Sequence, residues 1–382
     1  MEQVALPREQ SNHCPKEFVM RILRRKSNFL CSFFIFAICC SVLLSFYIHI
    51  STLPRILIKH NPFPCIDYIS NDCPNRSESV AMSYLPLMNF KDLGKYKRKV
   101  MLLIIVSTAP KRYDRRQAIR DTWWKHCNSE NVKCVFVTDG FIVDETQREL
   151  TIQERNRYHD MELQPLIGGR EFGVRFLNHI KWAKANFDFQ YLLRIDDDYF
   201  LCLKRLLSEL PTRPTINLVW GWFHCERATR ITWLDEAFMI FTPDIINKFL
   251  SQNKSTMLCH PHADQQIAIW LAKIPRKLYF HDRRLYHDPP ASFSPKFDNI
   301  KNVCDSYLGV HGTYVKTMRY FGRNANDGKK IVIPIRKFSR FCPTTKFNYR
   351  LMDPRFLYEP KLCKNNPTWN MERTMFIGRE NN

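Results

Sequence analysis

The sequence predicts an α/β domain, a largely parallel sheet with helices on its faces, set behind an N-terminal transmembrane helix. Three observations carry that prediction. Short, largely apolar runs of buried-strand type stand at residues 99–108, 134–140 and 190–195. Helical segments lie between them, an order that places parallel strands beside one another. An uncharged apolar run of about twenty residues, at 29–50, is long enough to cross a bilayer.

Residues 1–28 read as a cytoplasmic tail, because RILRRK at 21–26 sits just before the apolar run and positive charge is retained on the cytoplasmic side. The run itself, FLCSFFIFAICCSVLLSFYIHI, is too long for a signal peptide and has no small-residue cleavage site, so it reads as an anchor. No second run of that length follows, which makes the protein single-pass and type II, with its bulk in the lumen. Residues 51–96 carry prolines and little periodicity and read as a stem. The folded domain is expected over 97–321. It opens on the strand KVMLLIIVST (99–108), followed by a helix over 111–126 in which Ala118, Ile119, Thr122 and Trp123 recur at helical spacing. A second strand, CVFVTDG, spans 134–140, a charged helix 144–158, and a clearer helix 174–187 with Phe176, Leu177, Ile180 and Ala183 on one face. FQYLLRI then forms a strand, and residues 322–382 a basic C-terminal extension.

The chain of 382 residues has a formal net charge of +21. Such a charge often marks a nucleic-acid binder, but a luminal domain does not meet nucleic acid; acidic glycans or phosphate-bearing donors take its place. Ten of the 14 cysteines lie beyond the anchor, where an oxidising lumen permits disulfides. Spacing alone leaves the pairings open, a Cys342–Cys363 bridge within the extension among them. No two cysteines form a CxxC pair, which argues against zinc coordination. The sequons at Asn75 and Asn253 are open to N-glycosylation in that compartment. A GxGxxG fingerprint is missing, which counts against a dinucleotide-binding enzyme.

The chemistry concentrates in LLRIDDDYFL, 192–201, where Asp196, Asp197 and Asp198 follow a buried strand. An acidic cluster of this kind is often a solvated turn or a helix start. Here it stands at the carboxyl end of a strand, the edge at which open α/β sheets bind ligands. Neighbouring carboxylates repel one another, and a magnesium or manganese ion holding a phosphate-bearing substrate relieves that repulsion.

Four blocks in order resemble the β1,3-glycosyltransferase family that contains β1,3-galactosyltransferases and β1,3-N-acetylglucosaminyltransferases. RRQAIRDTW (115–123) is similar to the family's RxxIRxTW block, and LLRIDDDYF to its strand with three aspartates. ADQQIAIWLA (263–272) resembles a diverged EDVxxG block, and CDSYLGVH (304–311) the closing cysteine segment. The resemblance covers roughly residues 100–320 and implies a GT-A type, Rossmann-like fold, a UDP-sugar donor, a glycan acceptor and a Mn2+ ion. It implies inverting transfer to a 3-hydroxyl, with Asp198 and His311 as metal ligands and Asp196 and Asp197 on the nucleotide-sugar side. Asp264 is then the general base, beside the rival role of capping the following helix. Arg116 and Arg120 form or brace the uridine–diphosphate pocket. Trp123 is expected in the core.

The departures bear on donor identity. Ala263 stands where the family has glutamate, Ala268 where it has glycine, and DEAFMIF (235–241) replaces a glycine-rich loop. Glu236 in that altered loop contacts substrate hydroxyls or forms a structural salt bridge. His260, His262, His281 and His287 are candidates for tuning the base or lining an acceptor loop. The resulting expectation is a Golgi β1,3-galactosyltransferase, galactose being favoured because the 304–311 block looks most like the branch associated with proteoglycan linkers. An inactive relative partnering an active transferase, an N-acetylglucosaminyltransferase, and a lectin using the basic tail are the alternatives. Acceptor and oligomeric state are not legible.

Overall fold

The computed structural model describes residues 87–127, 129–167, 172–287, 302–326, 328, 332–352, 357–365, 367 and 369. Two compact units divide after Pro64, and every described residue belongs to the second. The expected cytoplasmic tail, the anchor at 29–50 and Asn75 lie outside the described residues. Among the described residues, no helix is long and apolar enough to cross a membrane.

The chain first alternates strand and helix: β1 (Arg98–Ser107), α1 (Tyr113–Arg120), β2 (Val132–Phe141), α2 (Glu145–Tyr158), β3 (Met161–Ile167), α3 (Phe172–Asn186) and β4 (Phe187–Asp196). Shorter elements follow: β5 (Tyr199–Leu201), α4 (Leu203–Glu209), β6 (Leu218–Glu226), β7 (Ile231–Phe241), α5 (Pro243–Leu250), β8 (Leu258–Cys259) and α6 (Ala263–Ala272). The last are β9 (Leu278–His281), β10 (Leu285–Tyr286), α7 (Val303–Ser306), β11 (Gly309–His311), α8 (Val315–Asn324) and β12 (Lys361–Leu362). One sheet of seven strands has the order β3-β2-β1-β4-β7-β6-β9. Its first four strands are parallel, as alternation with helices requires, whereas β7 runs antiparallel to both β4 and β6. The sheet is therefore mixed, and DEAFMIF, expected as a loop, is the end of strand β7.

Side chains on the central strands alternate between two cores. Leu102, Ile104 and Val106 of β1 face one, together with Ala118 and Ile119 of α1, Leu206 of α4 and Phe321 of α8. Leu103 and Ile105 face the other, with Phe176 and Ile180 of α3, Phe249 of α5 and Trp270 of α6. Both faces of β1 are thus covered, and its sequence is apolar without a period of two for that reason. The helix expected over 111–126 stops at Arg120; a 3-10 turn, Trp123–Cys127, replaces its second half. That break turns Trp124 onto Phe136, rings stacked 4.1 Å apart, and brings Cys127 to a disulfide with Cys134 of β2. Trp123 is buried in the core as expected.

The expected domain limits cut through packed structure. Met88 donates its amide to the Leu163 carbonyl at 2.8 Å, well before residue 97, and α8 runs without a break across 321 and 322. Cys342 and Cys363 do not pair with each other. Cys342 bonds to Cys225 of β6 and Cys363 to Cys259 of β8, because the extension crosses two separate strands and each cysteine meets the one beneath it. These bridges close loops of 117 and 104 residues, worth about 4–5 kcal/mol each in a chain-entropy treatment.

Arg116 and Arg120 serve this framework. Arg116 is wholly buried; its Nε and Nη2 donate to Glu154 of α2 at 2.9 and 2.6 Å, and its remaining donors go to Thr108 and the carbonyls of Ala109 and Pro110. Arg120 grips Asp160 with two bonds of 2.8 and 2.9 Å and reaches the same Glu154 at 2.8 Å. Removing Glu154 leaves two guanidiniums without their shared partner. Glu154→Ala is expected to cost about 3–5 kcal/mol, read as a fall in denaturation midpoint, without altering turnover per folded molecule.

Candidate active site

Strand β4 ends at Asp196, and Asp197 and Asp198 form the two-residue turn into β5. The three carboxylates face different surroundings. Asp197 is turned inward, 1 % exposed, where Thr108 Oγ1 donates to it at 2.6 Å, Arg115 at 3.0 Å and Arg112 at 3.2 Å. Since β1 and β4 pair with Ser107 opposite Asp196, these bonds lock the carboxyl ends of the two strands together. Asp196 and Asp198 remain half-buried and line a cleft of about 340 Å³.

His311, 113 positions beyond Asp198, reaches the cleft through a small second sheet. Strand β11 pairs antiparallel with β5, His311 opposite Tyr199, and the Cys202–Cys304 disulfide fastens the same two segments. Gly309 lies flat on the ring of Tyr199, where an added Cβ would overlap it. Gly312 has φ +69°, a left-handed turn that brings the Thr313 amide back to the Asp198 carbonyl at 2.7 Å. His311 Nε2 is consequently 3.5 Å from Asp198 Oδ1, and one donor atom each from Asp196, Asp198 and His311 lies within 4.8 Å of the others. His311 Nδ1 is buried without a hydrogen-bond partner among the described residues. Two carboxylates and an imidazole suit manganese or another divalent ion of intermediate softness. Asp196 is also paired with Arg194, two residues back on its strand, at 2.8 Å. Burial pushes its carboxyl well above the usual range; Arg194 opposes that shift, and Asp198 adds to it.

The opposite wall comes from β7 and the start of α6. Asp264 is the second residue of α6, not its cap, which is His262. Its Oδ1 accepts the Gln265 amide at 2.6 Å, and Trp233 also donates to its side chain. Burial raises the Asp264 carboxyl well above its ordinary pKa, and the charges of Glu236 and Asp235 add to the rise. A carboxyl shifted this way is suited to taking a proton from a hydroxyl near neutral pH. Glu236 extends from β7 to the same place, its Oε2 accepting the Ala263 amide at 2.9 Å. The family glutamate missing at position 263 thus has a carboxylate beside it that arrives from a neighbouring strand.

Several expected residues stand elsewhere. Arg116 and Arg120 do not line the cleft, their donors being taken by Glu154 and Asp160. The cleft is lined instead by Arg112 and Arg115, the residues that hold Asp197. His260 is wholly buried, bonded to the Tyr358 carbonyl and pushed down to about 3 by burial, and takes no part in the cleft. His281 accepts the Phe223 amide and stacks on Phe341, its pKa lowered to about 4 by burial. His262 and His287 do line the cleft. So do His224 and Asp235, which sequence reasoning did not single out, and Met352, contributed by the C-terminal extension. Asn253 is exposed, its carboxamide oxygen accepting from Ser255 within the sequon.

A galactosyltransferase family model matches residues 114–229, which run from α1 through the aspartates to the β6–β7 turn. Beta-1,3-galactosyltransferase 6 of Mus musculus is 29% identical over 240 residues, 56% of this chain and 70% of its own length. Lactosylceramide 1,3-N-acetyl-beta-D-glucosaminyltransferase of Homo sapiens is 27% identical over 41% of this chain. Beta-1,3-galactosyltransferase 1 of Mus musculus is 28% identical over 28% of this chain. The matches span less than half of the latter two relatives, 43% and 34%. The shared segment holds the blocks at 115–123 and 192–200, while the second wall of the cleft lies largely outside the family match. Over residues 114–229 the chain matches the galactosyltransferase family, and these similarities mark it as a glycosyltransferase related to the β1,3-galactosyl- and β1,3-N-acetylglucosaminyltransferases.

Proposed function

We propose that the protein transfers a hexose, galactose, from a UDP-sugar to the 3-hydroxyl of a glycan acceptor with inversion, forming a β1,3 linkage. The observation that carries this reading is the pairing across one cleft of an Asp196–Asp198–His311 group with the raised carboxyl of Asp264. Asp198 and His311 hold the divalent ion, manganese in the family pattern, and Asp196 lies toward the sugar and ribose. The bound ion offsets the negative charge of the diphosphate. Arg112 and Arg115 add fixed positive charge to the same wall. Asp264 accepts the proton of the acceptor hydroxyl as that oxygen bonds to the anomeric carbon. The bond from that carbon to the diphosphate oxygen breaks, and UDP leaves with the electron pair. Glu236, on the acceptor side, bonds the start of α6 and faces acceptor hydroxyls.

The uncharged run at 29–50 and the disulfides among the described residues support a type II Golgi membrane protein with a luminal catalytic domain. The absence of glutamate at position 263 favours a second reading, a relative without turnover that partners an active transferase.

The full chain, purified in detergent from a secretory host, is expected to release UDP from UDP-galactose in the presence of manganese. An acceptor sugar is expected to increase the release, and Asp198→Ala or EDTA to abolish it. UDP binding without release from any UDP-sugar would select the inactive reading. Asp264→Asn is expected to lower turnover by about 10²–10⁴-fold while nucleotide binding persists. The same change should raise the melting temperature at neutral pH, since it removes a charge that burial disfavours and that Glu236 and Asp235 repel.

The general base must be ionised, so a raised Asp264 pKa places the acidic limb of kcat/KM above the range of a free carboxylate, roughly 4. Glu236→Gln removes one cause of the rise. The limb is expected to move to lower pH in that variant, and an unmoved limb would separate Glu236 from the base.

A further inference from the structure

A second group of donors stands in the cleft, apart from the Asp196–Asp198–His311 group and from the base Asp264. His224 Nε2 and His287 Nε2 both point at Asp235 Oδ2, at 2.9 and 3.3 Å, and the three donor atoms lie within 4.8 Å of one another. We propose that His224, Asp235 and His287 bind a second divalent ion, a transition metal of zinc type, through two imidazoles and a carboxylate.

The spacing is that of a ligand shell. Zinc–nitrogen and zinc–oxygen bonds of about 2.0–2.2 Å put neighbouring ligands of a tetrahedron roughly 3.3 Å apart. Both histidine–aspartate separations are near that edge length. Two imidazoles with one carboxylate select zinc, iron, cobalt or nickel over magnesium and calcium, which take oxygen. Three protein ligands leave a fourth position for water or a substrate hydroxyl.

The donors are held before any ion arrives. His224 and Asp235 sit on adjacent antiparallel strands, where His224 pairs with Trp233 and Asp235 is the diagonal neighbour on the same face. Asp235 Oδ1 accepts the Ala237 amide at 2.9 Å, which fixes the carboxylate and leaves Oδ2 for the histidines. The His224 ring stacks on Trp233 at 4.8 Å, and the His287 ring lies parallel to Trp222 at 5.9 Å. The carboxylate is nearly buried while both imidazoles are about a quarter exposed, so the group opens on the cleft.

Its position gives it a use. The His287 ring is parallel to that of His311, centroids 5.4 Å apart, which sets the two groups side by side. Trp233, stacked on His224, also donates to Asp264. An ion on this trio therefore stands beside the Asp198–His311 group and one aromatic ring away from Asp264, in the cleft where an acceptor hydroxyl can take its open position. The sequence argument against zinc rested on cysteine spacing, and this trio contains none.

The test uses zinc and cobalt alone, without sugar nucleotide, so its outcome is independent of the transferase reading. The full chain in detergent is stripped with a chelator, and metal binding is followed by competition with a chromophoric chelator and by cobalt visible absorption. In an Asp198→Ala background, one equivalent of zinc is expected to bind, excess magnesium is not expected to displace it, and cobalt should give the intense bands of a tetrahedral site. Adding His224→Gln or His287→Gln should weaken zinc roughly tenfold or more. Each variant is compared at an unchanged melting temperature, and His287→Gln, at the open side, serves if His224→Gln does not fold. Zinc affinity unaltered in both glutamine variants, or no zinc bound in the Asp198→Ala chain, would overturn the proposal and leave the trio as a hydrogen-bonded pair of histidines on one carboxylate.

Discussion

The cleft depends on one buried charge. A carboxylate at the position of Asp197 is tolerated only because Thr108, Arg112 and Arg115 supply it with hydrogen bonds and opposite charge inside the protein. Those partners come from the end of β1 and the start of α1, so satisfying Asp197 fixes the tight turn in which Asp196 and Asp198 face the other way. The strand pairing that carries His311 builds on that turn, through β5 and the amide of Thr313. Were Asp197 left without its guanidiniums, the neighbouring aspartates would have no fixed direction.

A second constraint is electrostatic crowding. Asp196, Asp198, Asp235, Glu236 and Asp264 all line one cleft, and only some have cationic partners. Burial and mutual repulsion raise Asp196 and Asp264, whereas Asp235, although burial opposes it, is held well below the usual range by His287 and His224. Carboxylates in one pocket pushed in opposite directions by their surroundings are typical of sites that move protons or hold cations. Such a pocket weakens the fold locally, and the compensation lies around it. Two aromatic-rich cores cover the sheet, and the Arg116–Glu154–Arg120–Asp160 network braces the helices behind the pocket.

The C-terminal extension belongs to this compensation. Its cysteines bind strands β6 and β8, Phe338 packs edge-on against Phe223 and Tyr279, and β12 pairs with β8. Met352 then reaches the cleft itself. This basic, sparsely periodic segment, which the sequence reads as a packed extension with a glycan-binding tail as the alternative, is built into the wall of the site.

The sequence by itself determined what local forces decide. Short, largely apolar runs marked the strands β1, β2 and β4, and the end of β4 was legible because three consecutive aspartates follow its apolar stretch. The charged segment at 144–158 and the helical spacing at 174–187 marked α2 and α3 to within a few residues, and the order of blocks carried the resemblance to the family. Tertiary structure decided the rest. Arg115 and Arg116 are adjacent in sequence, yet a rotation of about 100° per residue sends one to the cleft and the other to Glu154. No sequence pattern tells which. The direction of β7, the partners of Cys342 and Cys363, and the meeting of His224, Asp235 and His287 depend on which strands become neighbours, a choice made by packing across the whole chain.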